Sequence, residues 1–168
     1  QTFDRYWLEA LGNIEMVGAY ILLFGIAGTL LTFLDAALFA FAYPNLIKLN
    51  HQKNLREAKK QVQILLMQTI GLSSLFAITS WIALPYLLTW IDNPLYQQFA
   101  HWYPWLLLAM TFNAISMVPH YALYARGSDT PIIYSHIAAL ICFTAVTWFC
   151  SETFEAAAVL LGLNSAFI

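Results

Sequence analysis

The sequence predicts an all-α, polytopic transmembrane helix bundle of about four full spans, with partial helices at both ends. Three observations carry that prediction. Of 168 residues, 61% are hydrophobic and only 10% charged, whereas a soluble domain carries about a quarter charged residues. Mean hydropathy is +0.66, and it is concentrated in runs close to the roughly 20 residues that cross a hydrocarbon core. Finally, Lys48, Lys53, Arg56, Lys59 and Lys60, five of the seven Lys and Arg residues, fall within thirteen positions between two such runs. Short basic loops beside apolar spans stay in the cytoplasm, because moving several cations through hydrocarbon is costly. The connector 44–61 therefore sets the expected orientation: a multi-pass protein of the cytoplasmic (inner) membrane with this loop inside. Its charge reads as a topology signal, and no nucleic-acid partner is expected.

Residues 1–16 mix Asp4, Arg5, Glu9 and Glu15 with Phe3, Tyr6, Trp7 and Leu8, as suits a membrane interface. The first span, 17–43, holds one charge, Asp35. As a helix it would be about 40 Å long, enough to tilt or project. Pro44 is expected to mark its inner end, since the residue before proline avoids helical dihedrals. The second span is 62–84, followed by Pro85, Trp90 and Asp92 and a loop near 93–102. The third, 104–124, starts on a proline at a favoured first-turn position and should kink at Pro119, which leaves the Ile115 carbonyl without its helical donor. After the turn at Arg126–Thr130 comes a fourth span, 131–149. A fifth run, 156–168, is too short to cross unless it is truncated. The chain opens at Gln1 without a signal-peptide pattern and ends in an apolar run, so it reads as part of a longer polypeptide.

Charge and aromatic placement agree with this topology. Successive crossings put Asp92, Glu152 and Glu155 outside and Arg126 inside. All six tryptophans (Trp7, Trp81, Trp90, Trp102, Trp105 and Trp148) then fall toward the outer interface, and Tyr43, Tyr121, Tyr124 and Tyr134 toward the inner one. Aromatic belts account for both sets without a ligand. Cys142 and Cys150, eight residues apart, would be about 12 Å apart on a helix, too far for a disulfide.

Polar groups inside the spans are the candidate functional residues. A carboxylate within a span is costly unless it meets protein, water or a partner. Gly25, Gly28, Thr32 and Asp35 follow steps of three, four and three, so they share a helical face. That face is expected to point into the bundle, because small residues let helices approach closely. Two readings of Asp35 stand: a coupling-ion or substrate group on an aqueous path, or a hydrated or paired group near the inner end. A second stripe is Asn113, Ser116, His120 and Tyr124; others are His136, Thr144 and Thr147, and Gln68, Gly71 and Ser74. His120 and His136 flank the inner turn, where they either pack or meet a phosphate. The sequence has no His-Glu-x-x-His, paired-cysteine, Gly-x-Ser-x-Gly or phosphate-loop pattern, so no catalytic residue, metal or cofactor is expected.

The stretches Asp4-Arg5-Tyr-Trp-Leu8, Gly12, Val17-Gly18-Ala-Tyr20, Tyr43-Pro-Asn-Leu46 and Tyr121-Ala-Leu-Tyr-Ala-Arg-Gly127 carry a family resemblance. The chain resembles the C-terminal half of the polysaccharide-transporter (oligosaccharide flippase) branch of the multidrug, oligosaccharidyl-lipid and polysaccharide exporter superfamily. The resemblance runs from the end of the seventh helix into the twelfth. It implies one lobe of a twelve-helix, two-lobe transporter that flips a polyprenyl-diphosphate-linked oligosaccharide by alternating access. The implied setting is the synthesis of O-antigen (lipopolysaccharide), capsule or exopolysaccharide. Implied partners are the lipid-linked oligosaccharide, the bilayer and a coupling H+ or Na+. Asp4 and Arg5 would form an outer-gate or structural pair, and Asp35 would be a cavity group, with Asn113, His120 and Arg126 along the path. One departure stands out: the spans contain no Arg or Lys to meet an anionic diphosphate. The alternatives are a cation-coupled drug antiporter of the same superfamily and, from another class, an integral-membrane glycosyltransferase or ligase. The latter would need acidic or basic groups on a large outer loop, and 93–102 holds no carboxylate after Asp92.

Overall fold

In the computed structural model, which describes residues 3–12 and 14–167, the chain is helical almost throughout and has no strand among those residues. The elements are α1 (Phe3–Leu11), α2 (Ile14–Leu34), a π-helical turn (Asp35–Phe39), α3 (Ala40–His51), α4 (Leu55–Ile91), α5 (Pro94–Gln98), α6 (Tyr103–Tyr124), α7 (Thr130–Phe154) and α8 (Ala158–Phe167). Four helical stretches are long and apolar enough to cross a membrane: Ile14–His51, Leu55–Ile91, Ala100–Tyr124 and Thr130–Phe167. The last of these reverses at Glu155, which adopts φ 48° and ψ −128°. Its crossing portion is therefore α7, and α8 returns along it.

The helices outrun the apolar runs that predict them, and local capping explains where they stop. Pro44 does not end its helix. The backbone continues helical to His51, and a π turn, in which Ala40 N–H reaches back to the Asp35 carbonyl, occupies the stretch before the proline. Pro44 removes the donor for the carbonyl of Ala40, the residue that starts α3 directly after the π turn, and the helix continues past it. α4 starts in the basic connector, where the Asn54 side chain accepts from Glu57 N–H at 3.4 Å, an N-cap that satisfies one orphan donor. It passes through Pro85 and stops at Asp92, whose φ of 52° and ψ of 43° are left-handed. Most of 44–61 is thus helix, with a turn only around Gln52–Asn54.

α6 is the central helix. It packs against α2, α4 and α8 through Tyr103, Leu106, Met110, Ala114 and Val118, all essentially fully buried and spaced by three or four residues. The matching face of α2 buries Tyr20, Leu23, Ala27, Leu30 and Leu34. α7 packs chiefly on α8 and touches α6 only slightly. The α7–α8 pair is antiparallel, since Cys142 Sγ donates to the Ser165 carbonyl and Thr147 lies against Gly162. Large apolar side chains such as Met67, Ile82, Trp90, Ile141 and Phe149 point outward, as a hydrocarbon solvent allows and water does not.

Candidate functional site

The six candidate residues occupy four places. Asp35 opens the π turn and is exposed. The Tyr121 hydroxyl of α6 donates to its Oδ1 at 2.9 Å, and the Tyr121 ring lies against Phe39 and Tyr43 at 4.8 and 5.5 Å. π turns are rare and concentrate at functional positions. The small-residue face that leads to Asp35 does not pack inward as its spacing suggested. Gly18, Gly25, Thr29, Thr32 and Asp35 are exposed, and nothing lies within 4 Å of a Cβ built on Gly18, Gly25 or Gly28. The larger apolar stripe of α2 makes the contact with α6 instead, held by side-chain packing, since lipid leaves no hydrophobic drive between helices. The polar face is left uncovered among the described residues.

Asn113 and His120 share a cleft of about 430 Å³ between α6, α7 and the end of α8. Ser135, His136, Cys142 and Ser165 also line it. The imidazoles of His120 and His136 stack with centroids 5.1 Å apart and planes 24° apart, and His120 Nε2 lies 3.2 Å from Ser135 Oγ. Two imidazoles, three hydroxyls (Ser116, Ser135 and Ser165) and an amide make this a hydrogen-bonding recess without a carboxylate. Among the described residues no three His, Cys, Asp or Glu side chains converge as a metal site would require.

Asp4 is 3% exposed, and the Tyr20 hydroxyl donates to its Oδ2. Its Oδ1 and the Arg5 Nε are buried without a partner. Asp4 is therefore tied to Tyr20, and no ion pair joins it to Arg5. Arg126 sits in the α6–α7 turn, exposed, beside a separate cleft that it shares with His51. No protein-family model, curated protein or solved structure matches this chain.

The structure pairs both Asp4 and Asp35 with tyrosines that composition marks only as interfacial or core aromatics. Tyr121 is 86 positions from Asp35, and no local spacing signals such a pair. The stripe Gln68, Gly71 and Ser74 faces outward, while Thr69 and Ser73 on the neighbouring face are fully buried.

Proposed function

We propose that the chain is one lobe of a membrane flippase that carries a polyprenyl-diphosphate-linked oligosaccharide across the cytoplasmic membrane during polysaccharide biosynthesis, without catalysing a covalent step. Asp35 carries the proposal. A carboxylate in the middle of a span costs about 2.5–3.5 kcal/mol, and one interhelical hydrogen bond returns only about 0.6–2 kcal/mol. Tyr121 alone does not offset that cost. The remainder calls for water or a polar solute on the exposed face of Gly25, Thr29, Thr32 and Asp35, as a translocation path would supply. The resemblance to polysaccharide transporters supports the lipid-linked sugar as cargo, with the cations for its diphosphate on the opposing lobe.

A cation-coupled drug antiporter is the second reading. It is favoured by the same carboxylate on spans free of Arg and Lys between 17–43 and 104–124, where Asp35 would take up H+ or Na+. Complementation of cells that lack an oligosaccharide-lipid flippase, using the gene that encodes the chain, separates the two. Restored surface polysaccharide supports the flippase. Restored drug efflux without polysaccharide supports the antiporter. Within the complementing protein, Asp35→Asn should cut export at least about tenfold, the effect of roughly 1.4 kcal/mol, at unchanged membrane abundance. Normal export by a stably inserted variant would remove Asp35 from the path.

A further inference from the structure

At the connector end a cleft of about 420 Å³ separates the last turn of α3 from the α6–α7 turn. Ile47, Asn50 and His51 form one wall, and Tyr124, Arg126 and Gly127 the other. Ile47, Asn50 and His51 are spaced three and one, so they lie on a single helical face. Two helix C-termini meet here, and their negative ends would ordinarily engage a cation. Several of the local carbonyls are already satisfied, however. Leu123 O accepts from both Arg126 and Ser128 N–H, Tyr124 O from Gly127, Lys48 O from Gln52, and Asn50 O from Lys53. One N–H of the Asn50 amide is donated to the Leu46 carbonyl. Arg126 makes no ion pair or side-chain hydrogen bond, either with Asp129 in its own turn or with any other described residue. This end carries Lys48, Lys53, Arg56, Lys59, Lys60 and Arg126 against only Glu57 and Asp129, so its field attracts anions.

We propose that this cleft binds the phosphate of an anionic lipid headgroup, held between the Arg126 guanidinium and His51. The guanidinium presents N–H donors in a planar fork that matches two phosphate oxygens. Ile47 and the half-exposed Tyr124 ring supply an apolar and amphipathic edge for the glycerol end of the lipid. Both walls are ends of helices long enough to cross a membrane, so the opening sits at headgroup depth, where a lipid phosphate is far more concentrated than a free one. Basic recesses between spans at this level select anionic lipids. The cleft does not include Asp35, and its test reads lipid retention and not transport.

The test uses the chain in nanodiscs of phosphatidylcholine, alone or mixed with phosphatidylglycerol, with native mass spectrometry to count the lipids retained on release. Wild type should retain phosphatidylglycerol preferentially. Arg126→Gln should lower that retention about fivefold, the effect of one interfacial cation. Lys59→Gln with Lys60→Gln, which removes two exposed connector charges outside the cleft, should lower it clearly less than Arg126→Gln does. Far-UV circular dichroism confirms that each variant keeps its helices. Equal losses from both changes would reduce the effect to diffuse attraction and overturn the site, as would the absence of any preference in wild type. Displacement of phosphatidylglycerol by millimolar inorganic phosphate would reassign the cleft to a free anion and overturn the lipid assignment.

Discussion

At the scale of single residues, the two buried or half-committed carboxylates make different demands. Asp4 is enclosed by protein and depends on one phenol. Removing that donor leaves a desolvated acceptor, a change that costs about 1–3 kcal/mol and more when the group is charged. Tyr20→Phe should therefore lower the thermal unfolding midpoint in detergent clearly, while Tyr6→Phe, at an exposed hydroxyl on the neighbouring helix, should not; equal midpoints would mean that Asp4 is satisfied in some other way. Asp35 stands out in the sequence because a lone charge in an apolar run must be explained. Its bond to Tyr121 does not, because the pairing depends on how α2 and α6 cross and not on any local spacing.

At the scale of elements, spacing reveals most of the fold and local strain corrects the rest. With Ala19 and Phe24 buried beside it, one stripe of buried positions on the first long helix runs Tyr20, Leu23, Ala27, Leu30, Leu34, Phe39, Ala42 and Leu46. Their steps are three or four except for one step of five, from Leu34 to Phe39, which coincides with the π turn. The wide turn takes up one extra residue and keeps the core stripe in phase, which is why a reading based on proline alone misjudges Pro44. The glycines offer a test of packing. A Cβ on Gly162 would collide with Thr147 Oγ1 and approach the Phe143 ring, so Gly162→Ala should destabilise the α7–α8 pair by about 1–3 kcal/mol. Gly71 has nothing within 4 Å and lies inside α4, so Gly71→Ala should stabilise by about 0.5–1 kcal/mol. Thermal unfolding of both variants in one detergent checks the pair, and shifts of the same sign would contradict this packing.

At the scale of the whole molecule, the four crossing helices are legible from composition alone, because about 20 consecutive apolar residues have few other uses. The aromatic ends also emerge in space. Trp7 meets Trp148 edge-on at 6.0 Å, and Tyr43 meets Tyr121 at the opposite end. The orientation of that axis rests on the connector charges and is open to a direct test. With Cys142 and Cys150 replaced by alanine, Gln97→Cys should react with a membrane-impermeant thiol reagent in intact cells, and Lys60→Cys only after permeabilisation. The reverse pattern would invert the topology. What composition could not reveal is how unevenly α7 is held. Its half nearest the tryptophan end is clamped by α8 through Phe143 and Thr147, while from Thr130 to Ile141 only Ile132 is buried. In mechanical terms the loosely held part, Thr130 to Ile141, is a beam about 18 Å long. It is supported by α8 at one end and by the short α6–α7 turn and Ile132 at the other, with His136 of the stacked pair between the supports. Bending of that beam would change the width of the His120–His136 cleft while leaving the α6 core contacts in place.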